Sequence, residues 1–250
     1  NAFSISSGLS YNRTERTGED KLDDGTDDPM SLNARFEDPM SINKTVAALN
    51  LNYIEVGSGS IFYKNYQLSA TVDEFNPDNG SAANDSVNES FHGYGASYRY
   101  PLFDALSINI SYEKSVRLPE IYEFLGDGIF IRPNPLLEPE KSNNLNLGMK
   151  YDGVVGEAVY FLESTLFYRN AENFIRFKAD QPNSGVYENV EDVEVKGIEL
   201  SSLLSFSNSV SVNAAITYQD MINKSKTNLD GSENFYYGSR VPNEPYLFAN

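Results

Sequence analysis

The chain has 250 residues and a formal net charge of −17, with 36 acidic against 19 basic side chains, one histidine (His92) and no cysteine. These counts exclude a disulfide framework, a thiolate metal centre and a multi-histidine cluster, and the acidic excess argues against a polyanionic partner such as DNA, which is bound through clustered Lys and Arg. No apolar run reaches the ~18–20 residues of a membrane-spanning helix, while the mean hydropathy of −0.44 is also what a two-faced membrane strand averages to.

Alternation with a period of two dominates from the start. Residues 3–11 set Phe3, Ile5, Leu9 and Tyr11 against Ser4, Ser6, Gly8 and Ser10. Such alternation over about ten residues marks a strand with one apolar and one polar face. On this basis strands are predicted at 1–13, 42–55, 60–73, 89–100, 106–117, 142–152, 157–178, 186–205, 209–222 and 238–250. The first connection, 14–41, holds nine acids against Arg16, Lys21 and Arg35. Asp20, Asp23, Asp24, Asp27 and Asp28 are its calcium candidates, but Leu22 interrupts the alternating oxygen ligands of a calcium loop. A solvated, self-repelling loop is the simpler reading.

In 60–73 the row Phe62, Tyr66, Leu68, Ala70 and Val72 reads as the outer apolar face. It contains Lys64, whose aliphatic stem would let its ammonium snorkel to a polar boundary. Next, Tyr94, Ala96, Tyr98, Tyr100 and Leu102 oppose Gly95, Ser97 and Arg99. The cleanest case is 106–117, where Leu106, Ile108, Ile110, Tyr112 and Val116 oppose Ser107, Asn109, Ser111, Glu113, Ser115 and Arg117; Lys114 again falls on the apolar row. In 157–178 the outer face is assigned to Tyr160, Leu162, Leu166 and Tyr168, because the other row carries Glu163 and Arg169. Finally Val210, Val212, Ala214, Ile216 and Tyr218 alternate with Ser211, Asn213, Thr217 and Gln219.

Connection lengths sort by parity. Tight turns are expected at Val56–Gly59, Pro101–Ala105, Asp152–Gly156 and Phe206–Asn208, all rich in turn-forming residues. The alternate connections 14–41, 74–88, 118–141 and 223–237 are long, with 179–185 short among them. In an up-and-down barrel every second connection lies at the same end, and outer-membrane barrels keep short turns on one side and long loops on the other. Strands of ~10 residues also match the ~9–11 needed to cross a bilayer at a tilt. The expected fold is therefore all-β, an antiparallel up-and-down transmembrane barrel, with residues 1–250 forming part of a single barrel domain.

Two stretches carry more than alternation. The first runs Arg117-Leu118-Pro119-Glu120-Ile121-Tyr122-Glu123, then Asn134-Pro135-Leu136-Leu137-Glu138-Pro139-Glu140-Lys141-Ser142 and Leu145-Asn146-Leu147-Gly148. The second has Tyr187-Glu188-Asn189, then Lys196-Gly197-Ile198-Glu199-Leu200 and Arg240-Val241-Pro242-Asn243-Glu244-Pro245. In this order the motifs resemble the later half of the barrel of TonB-dependent outer-membrane receptors, over roughly residues 115–250. Read physically, Asn134-Pro135 and Pro139 stop strand pairing and fix a loop path, and Gly197 marks a bulge or a close backbone approach.

The resemblance implies an interior piece of a barrel of about 22 strands, lacking the plug domain and the TonB-contacting segment. It implies a receptor in the bacterial outer membrane that takes up a scarce nutrient: an iron–siderophore, haem, cobalamin or a glycan. Its partners would be outer-membrane lipid, that small ligand, and TonB and the plug through the missing N-terminal part. No cofactor and no enzymatic activity are implied. Ligand-binding candidates are the cations Arg117, Arg132 and Arg176, with Arg169 and Lys178 near them, and the loop aromatics Tyr122, Phe124, Phe130, Tyr236 and Tyr237. Loop-to-loop packing is the plainer role for each aromatic. The rival readings are a passive porin-like channel and a soluble β-rich adhesin or glycan-binding module.

Overall fold

In the computed structural model, which describes residues 2–16, 40–76, 81–127, 130–132, 134, 136–181, 184–206, 210–227, 232–242 and 244–249, one sheet of eleven strands contains most of the described residues. The strands are β1 (Ala2–Arg16), β2 (Met40–Ile54), β3 (Ser58–Asn76), β4 (Ser81–Phe103), β5 (Leu106–Arg117), β6 (Ile131–Arg132), β7 (Glu140–Val155), β8 (Ala158–Gln181), β9 (Ser184–Phe206), β10 (Val210–Asn223) and β11 (Leu247–Ala249). One short helix, α1 (Ile121–Leu125), lies between β5 and β6. Sequential strands pair antiparallel from β1 to β11, except that β6 leaves the path and pairs parallel with β9. Among the described residues β1 has no partner on its far edge, so the sheet is open.

The two faces separate as the alternation requires. Ile110 and Leu147, opposite each other on β5 and β7, are each 49% exposed. Their row continues through Leu166 on β8, Ile198 on β9 and Tyr218 on β10. The other face carries hydroxyls and amides that bond across strands. Ser115 meets Ser142 at 3.0 Å, Asn144 donates to Ser115 at 3.1 Å, and Asn146 donates to Ser111 at 3.1 Å. An apolar row turned outward around a polar interior is the inverse of a soluble core.

On β3 the expected outer row is the inner one. Pairing of Leu51 with Ile61 and Leu49 with Tyr63 turns Ile61 and Tyr63 outward. Tyr66, Leu68 and Ala70 are buried with Ile42 on the opposite side. Lys64 therefore faces inward, where its ammonium meets Glu113 at 2.8 Å, and needs no snorkelling. Both rows of this strand are apolar near its start, at Ile61, Phe62 and Tyr63, so alternation alone has no sign there; the register with β2 decides it. Lys114 does lie on the outward row, opposite Tyr94.

Loop lengths are corrected at the same end. The stretch 74–88 is mostly the tip of the β3–β4 hairpin, and 179–185 that of the longer β8–β9 hairpin. Both rise beyond the tops of β5 and β7. The predicted strand 238–250 pairs with β10 only in part. Ile222 bridges to Arg240 and Tyr218 to Leu247, so residues around Pro242 and Pro245 are looped out between them. Proline supplies no N–H to the ladder, which explains the break.

The register through Gly197 is continuous, so this glycine marks a close approach and not a bulge. A Cβ there would strike the Phe167 ring and the Tyr218 carbonyl oxygen. Gly197→Val is expected to cost about 1–3 kcal/mol by overpacking, read as a lower urea midpoint of the folded receptor. Ser201→Val, on the same inward row, is expected to leave the midpoint nearly unchanged.

Candidate functional site

The top of the sheet is where the long connections gather, and two of them clasp the β8–β9 hairpin. Residues 118–139 leave β5 at Leu118 and Pro119 and turn into α1, where the Glu123 carboxylate accepts the Glu120 N–H at 2.7 Å and closes the first turn. Gly126, at φ +68°, ends the helix. The chain then runs as β6 along β9, with Ile131 opposite Gly185 and Arg132 opposite Val186. It returns through Asn134, whose amide donates to the Tyr187 carbonyl at 2.8 Å. This loop fills the gap between the two tall hairpins. Phe124, 1% exposed, packs with Leu118, Leu137 and Ile175, and the same cluster reaches Tyr66 and Leu68 of β3.

Charged groups beneath the loop explain most of the first motif. Arg117 Nη1 lies 3.0 Å and 3.1 Å from the two Glu123 carboxylate oxygens, and its Nε lies 3.4 Å from Glu140. Arg169 of β8 pairs with the other oxygen of Glu140. Glu140 is 2% exposed and Glu123 is buried with it. Two cations and two carboxylates thus tie β5, α1, β7 and β8 together. A buried charge is tolerable only when paired in this way.

Asn189 carries the second motif. It accepts the Glu138 N–H at 2.9 Å and donates to the carbonyls of Glu138 at 2.9 Å and Asn173 at 2.8 Å. Asn173 itself sits at φ +56°, a left-handed conformation that Asn tolerates better than most residues. Asn189→Ala removes all three bonds. We expect proteolysis within residues 134–141 to speed up several-fold, while strand β7 below stays protected.

The sequence-derived candidates are thus dispersed. Arg117 is engaged by Glu123 and Glu140, and Phe124 is core. Tyr122 stands edge-on to Tyr187 at 5.7 Å, and Phe177 is tilted against the same ring at 5.4 Å. Burial pushes the Tyr187 phenol above its ordinary pKa. Phe130 is exposed and its carbonyl accepts the Gly185 N–H at 2.9 Å. Arg132 is exposed on β6. The calcium candidates Asp20, Asp23, Asp24, Asp27 and Asp28 lie outside the described residues.

Arg176 and Tyr236 are brought together. They line a cleft of about 680 Å³ between the β8–β9 hairpin and residues 223–227 and 234–242, with Lys178, Glu188, Asn234 and Arg240. Tyr237, on the same turn as Tyr236, is half exposed but does not line the cleft. That turn is fixed from below. Asn234 Oδ1 accepts the Tyr236 N–H at 2.9 Å, and the Asn234 carbonyl accepts the Tyr237 N–H at 3.0 Å. Asn234, Glu188 and Arg240 were not singled out in the sequence as ligand candidates. Glu188 and Arg240 each stand inside one of the family-like motifs, which marks the segment but not the side chain.

Comparison with known proteins follows the geometry. The family model described as "TonB dependent receptor-like, beta-barrel" matches residues 2–250. No curated protein matches the chain. Among solved structures it is similar to the copper transporter OprC, at 18% identity and TM-score 0.69, covering 100% of this chain and 37% of that one. It is similar to the siderophore receptor PiuA from Acinetobacter baumannii, at 18% identity and TM-score 0.65, covering 99% and 40%. It is also similar to the hemophore receptor HasR of Serratia marcescens, solved as a double mutant with its hemophore HasA and heme, at 17% identity and TM-score 0.63, covering 99% and 44%. The chain therefore spans less than half the length of these structures, and at such identities the likeness is one of fold. Since the family model extends over the whole sheet and both clasping loops, the chain belongs to the TonB-dependent receptors, whose barrels are bacterial outer-membrane proteins, and it forms part of such a barrel.

Proposed function

We propose that the intact protein takes up a scarce nutrient across the outer membrane, binding it at the loop end and passing it through a plugged barrel with energy delivered by TonB. In this reading the chain is one part of a single barrel domain and performs transport, not catalysis. The observation that carries it is the polarity of the two faces. Outward, Tyr11, Tyr63, Tyr94, Tyr112 and Tyr168 form an upper aromatic line, and Phe3, Tyr53, Tyr98, Tyr151 and Tyr160 a lower one. On β8 the two lines stand eight residues apart, at Tyr160 and Tyr168. At ~3.3 Å per residue that is about 26 Å along the strand, or roughly 20 Å of height at a tilt of ~40°, somewhat under the ~25 Å apolar band of outer-membrane barrels. His92, beside the upper line, holds the Tyr63 hydroxyl at 2.6 Å where polar side chains replace apolar ones on the outward row.

Inward, the wall of serines, asparagines and ion pairs suits a polar domain filling the barrel. The solute belongs to the family's range: an iron–siderophore, haem, cobalamin, copper or a glycan. The test is uptake by cells expressing the full-length receptor, with and without functional TonB. Uptake that disappears without TonB is expected. Uptake that persists undiminished would favour a passive channel.

A further inference from the structure

We propose that the outward face around Lys114 and Lys141, just above the upper aromatic line, binds the phosphate groups of an outer-leaflet glycolipid. This assignment goes beyond the uptake reading and depends only on the barrel lying in the outer membrane. Lys114 is half-buried on the outward row of β5, two residues above Tyr112, and among the described residues its ammonium has no hydrogen-bond or ion-pair partner. Lys141 stands on β7 two residues above Asn143, the cross-strand neighbour of Lys114. Its ammonium lies 5.5 Å from the centre of the Phe91 ring, and it too forms no ion pair with a described carboxylate. The surroundings are polar but neutral. The Tyr112 hydroxyl donates to Asn143 at 3.0 Å, and on β3 and β4 Tyr63 meets His92 at 2.6 Å.

Charge placement distinguishes this sector from the rest of the outer belt. The outward rows of β3 from Tyr63 to Thr71, β4 from Asn88 to Tyr94, β5 from Tyr112 to Val116 and β7 from Lys141 to Leu145 hold no carboxylate. Glu89 and Glu113 belong to the inward rows, opposite Leu68 and paired with Lys64. Asp73 and Asp85, farther up the β3–β4 hairpin, stand at least seven residues beyond Asn65 and His92, about 23 Å along the strands. Glu172 of β8, opposite Lys141, is the nearest acid on an outward row. On β9 and β10 the cations are already matched: Lys196 and Lys224 by Glu194 at 2.8 Å and 3.5 Å, and Arg240 by Asp220 at 2.6 Å. The lower ends of β3, β4, β5 and β7 carry no cation on their outward rows. Unpaired outward cations on these strands thus occur at one leaflet alone. A lysine stem reaches from the hydrocarbon edge to the headgroups, and its ammonium binds phosphate as a point charge. Below it, Ile110 beside Leu147 and Tyr112 beside Leu145 offer acyl chains an apolar wall.

The experiment titrates lipid onto the full-length receptor in detergent and reads the bound fraction by native mass spectrometry. The probes are lipid A, an acylated disaccharide bearing two phosphates, and the same lipid after enzymatic dephosphorylation. Lipid A is expected to bind at least about tenfold more tightly than its dephosphorylated form, with a preference that shrinks as salt rises. The double variant Lys114→Gln/Lys141→Gln should abolish that preference. Lys196→Gln, which removes an ammonium already paired with Glu194, should keep it. Heat-modified gel mobility of each variant should stay that of the folded barrel, because these side chains lie on the surface. Equal binding of the two lipids, a preference that survives the double variant, or one that Lys196→Gln reduces just as far would overturn the patch. None of these outcomes bears on uptake, which TonB dependence reads separately.

Discussion

Replacing Glu140 by alanine should destabilise the loop end of the barrel by about 2–3 kcal/mol. Its carboxylate is 2% exposed and meets Arg117 and Arg169 on separate oxygens. The backbone N–H of Ile175 also points to it at 3.4 Å. Removing it leaves Arg169 without a counter-charge beside Arg117, which keeps only Glu123. Breaking a fully buried pair costs ~3–5 kcal/mol; the lower figure follows because both arginines keep about a third of their side chains exposed. The loss should appear as a lower urea midpoint and as faster proteolysis between residues 118 and 139. Arg13→Ala, which breaks an ion pair with both partners about half exposed, should shift the midpoint by less than ~0.5 kcal/mol. Equal effects from the two variants would mean that the Glu140 network does not hold the loop.

The second large effect tests the outer face. Leu200 pairs with Ser164 on one side and Ile216 on the other, midway between the aromatic lines on β8, and is 45% exposed. Leu200→Arg places a guanidinium near the middle of the hydrocarbon layer, at a cost of ~2–4 kcal/mol for a barrel in lipid. Ser201→Arg, one residue on, turns the same charge toward the polar wall and should cost under ~1 kcal/mol. Folding yield into vesicles and the urea midpoint should both separate the two variants. If both are equally tolerated, the assignment of faces is wrong.

Much of this architecture was legible in the residues. Leu106 to Arg117 and Val210 to Gln219 each have one row of apolar and one of polar side chains, so strand and face followed together. The face of β8 was readable because Glu163 and Arg169 mark its inner row. β3 failed because Phe62 to Ala70 and Ile61 to Tyr63 are both apolar rows. Only pairing with Leu49 and Leu51 assigns the sign, and register is a tertiary fact. The hairpin tips failed for a related reason. Residues 74–88 contain Pro77, Gly80 and several Asn and Asp, the composition of a loop, yet most are paired as strand.

At the loop end the motifs identified the family correctly, but the role of each residue depended on its neighbours in space. Arg117 and Arg176 look alike in sequence. One faces two buried carboxylates contributed by residues 123 and 140, and the other shares Glu188 with Lys178 in an open cleft. Local spacing does not report that difference. Phe124 was taken with the exposed aromatics because its loop is long. It is buried because the loop folds back between two tall hairpins, which no single segment encodes.

The most direct measurement is site-directed spin labelling along Asn144–Lys150 of β7, in the full-length receptor reconstituted in lipid. Labels at residues 145, 147 and 149 should be highly accessible to oxygen and shielded from a polar nickel chelate, and those at 144, 146 and 148 should show the reverse. An opposite phase, or no alternation through these seven positions, would contradict a greasy exterior wrapped around a wet wall.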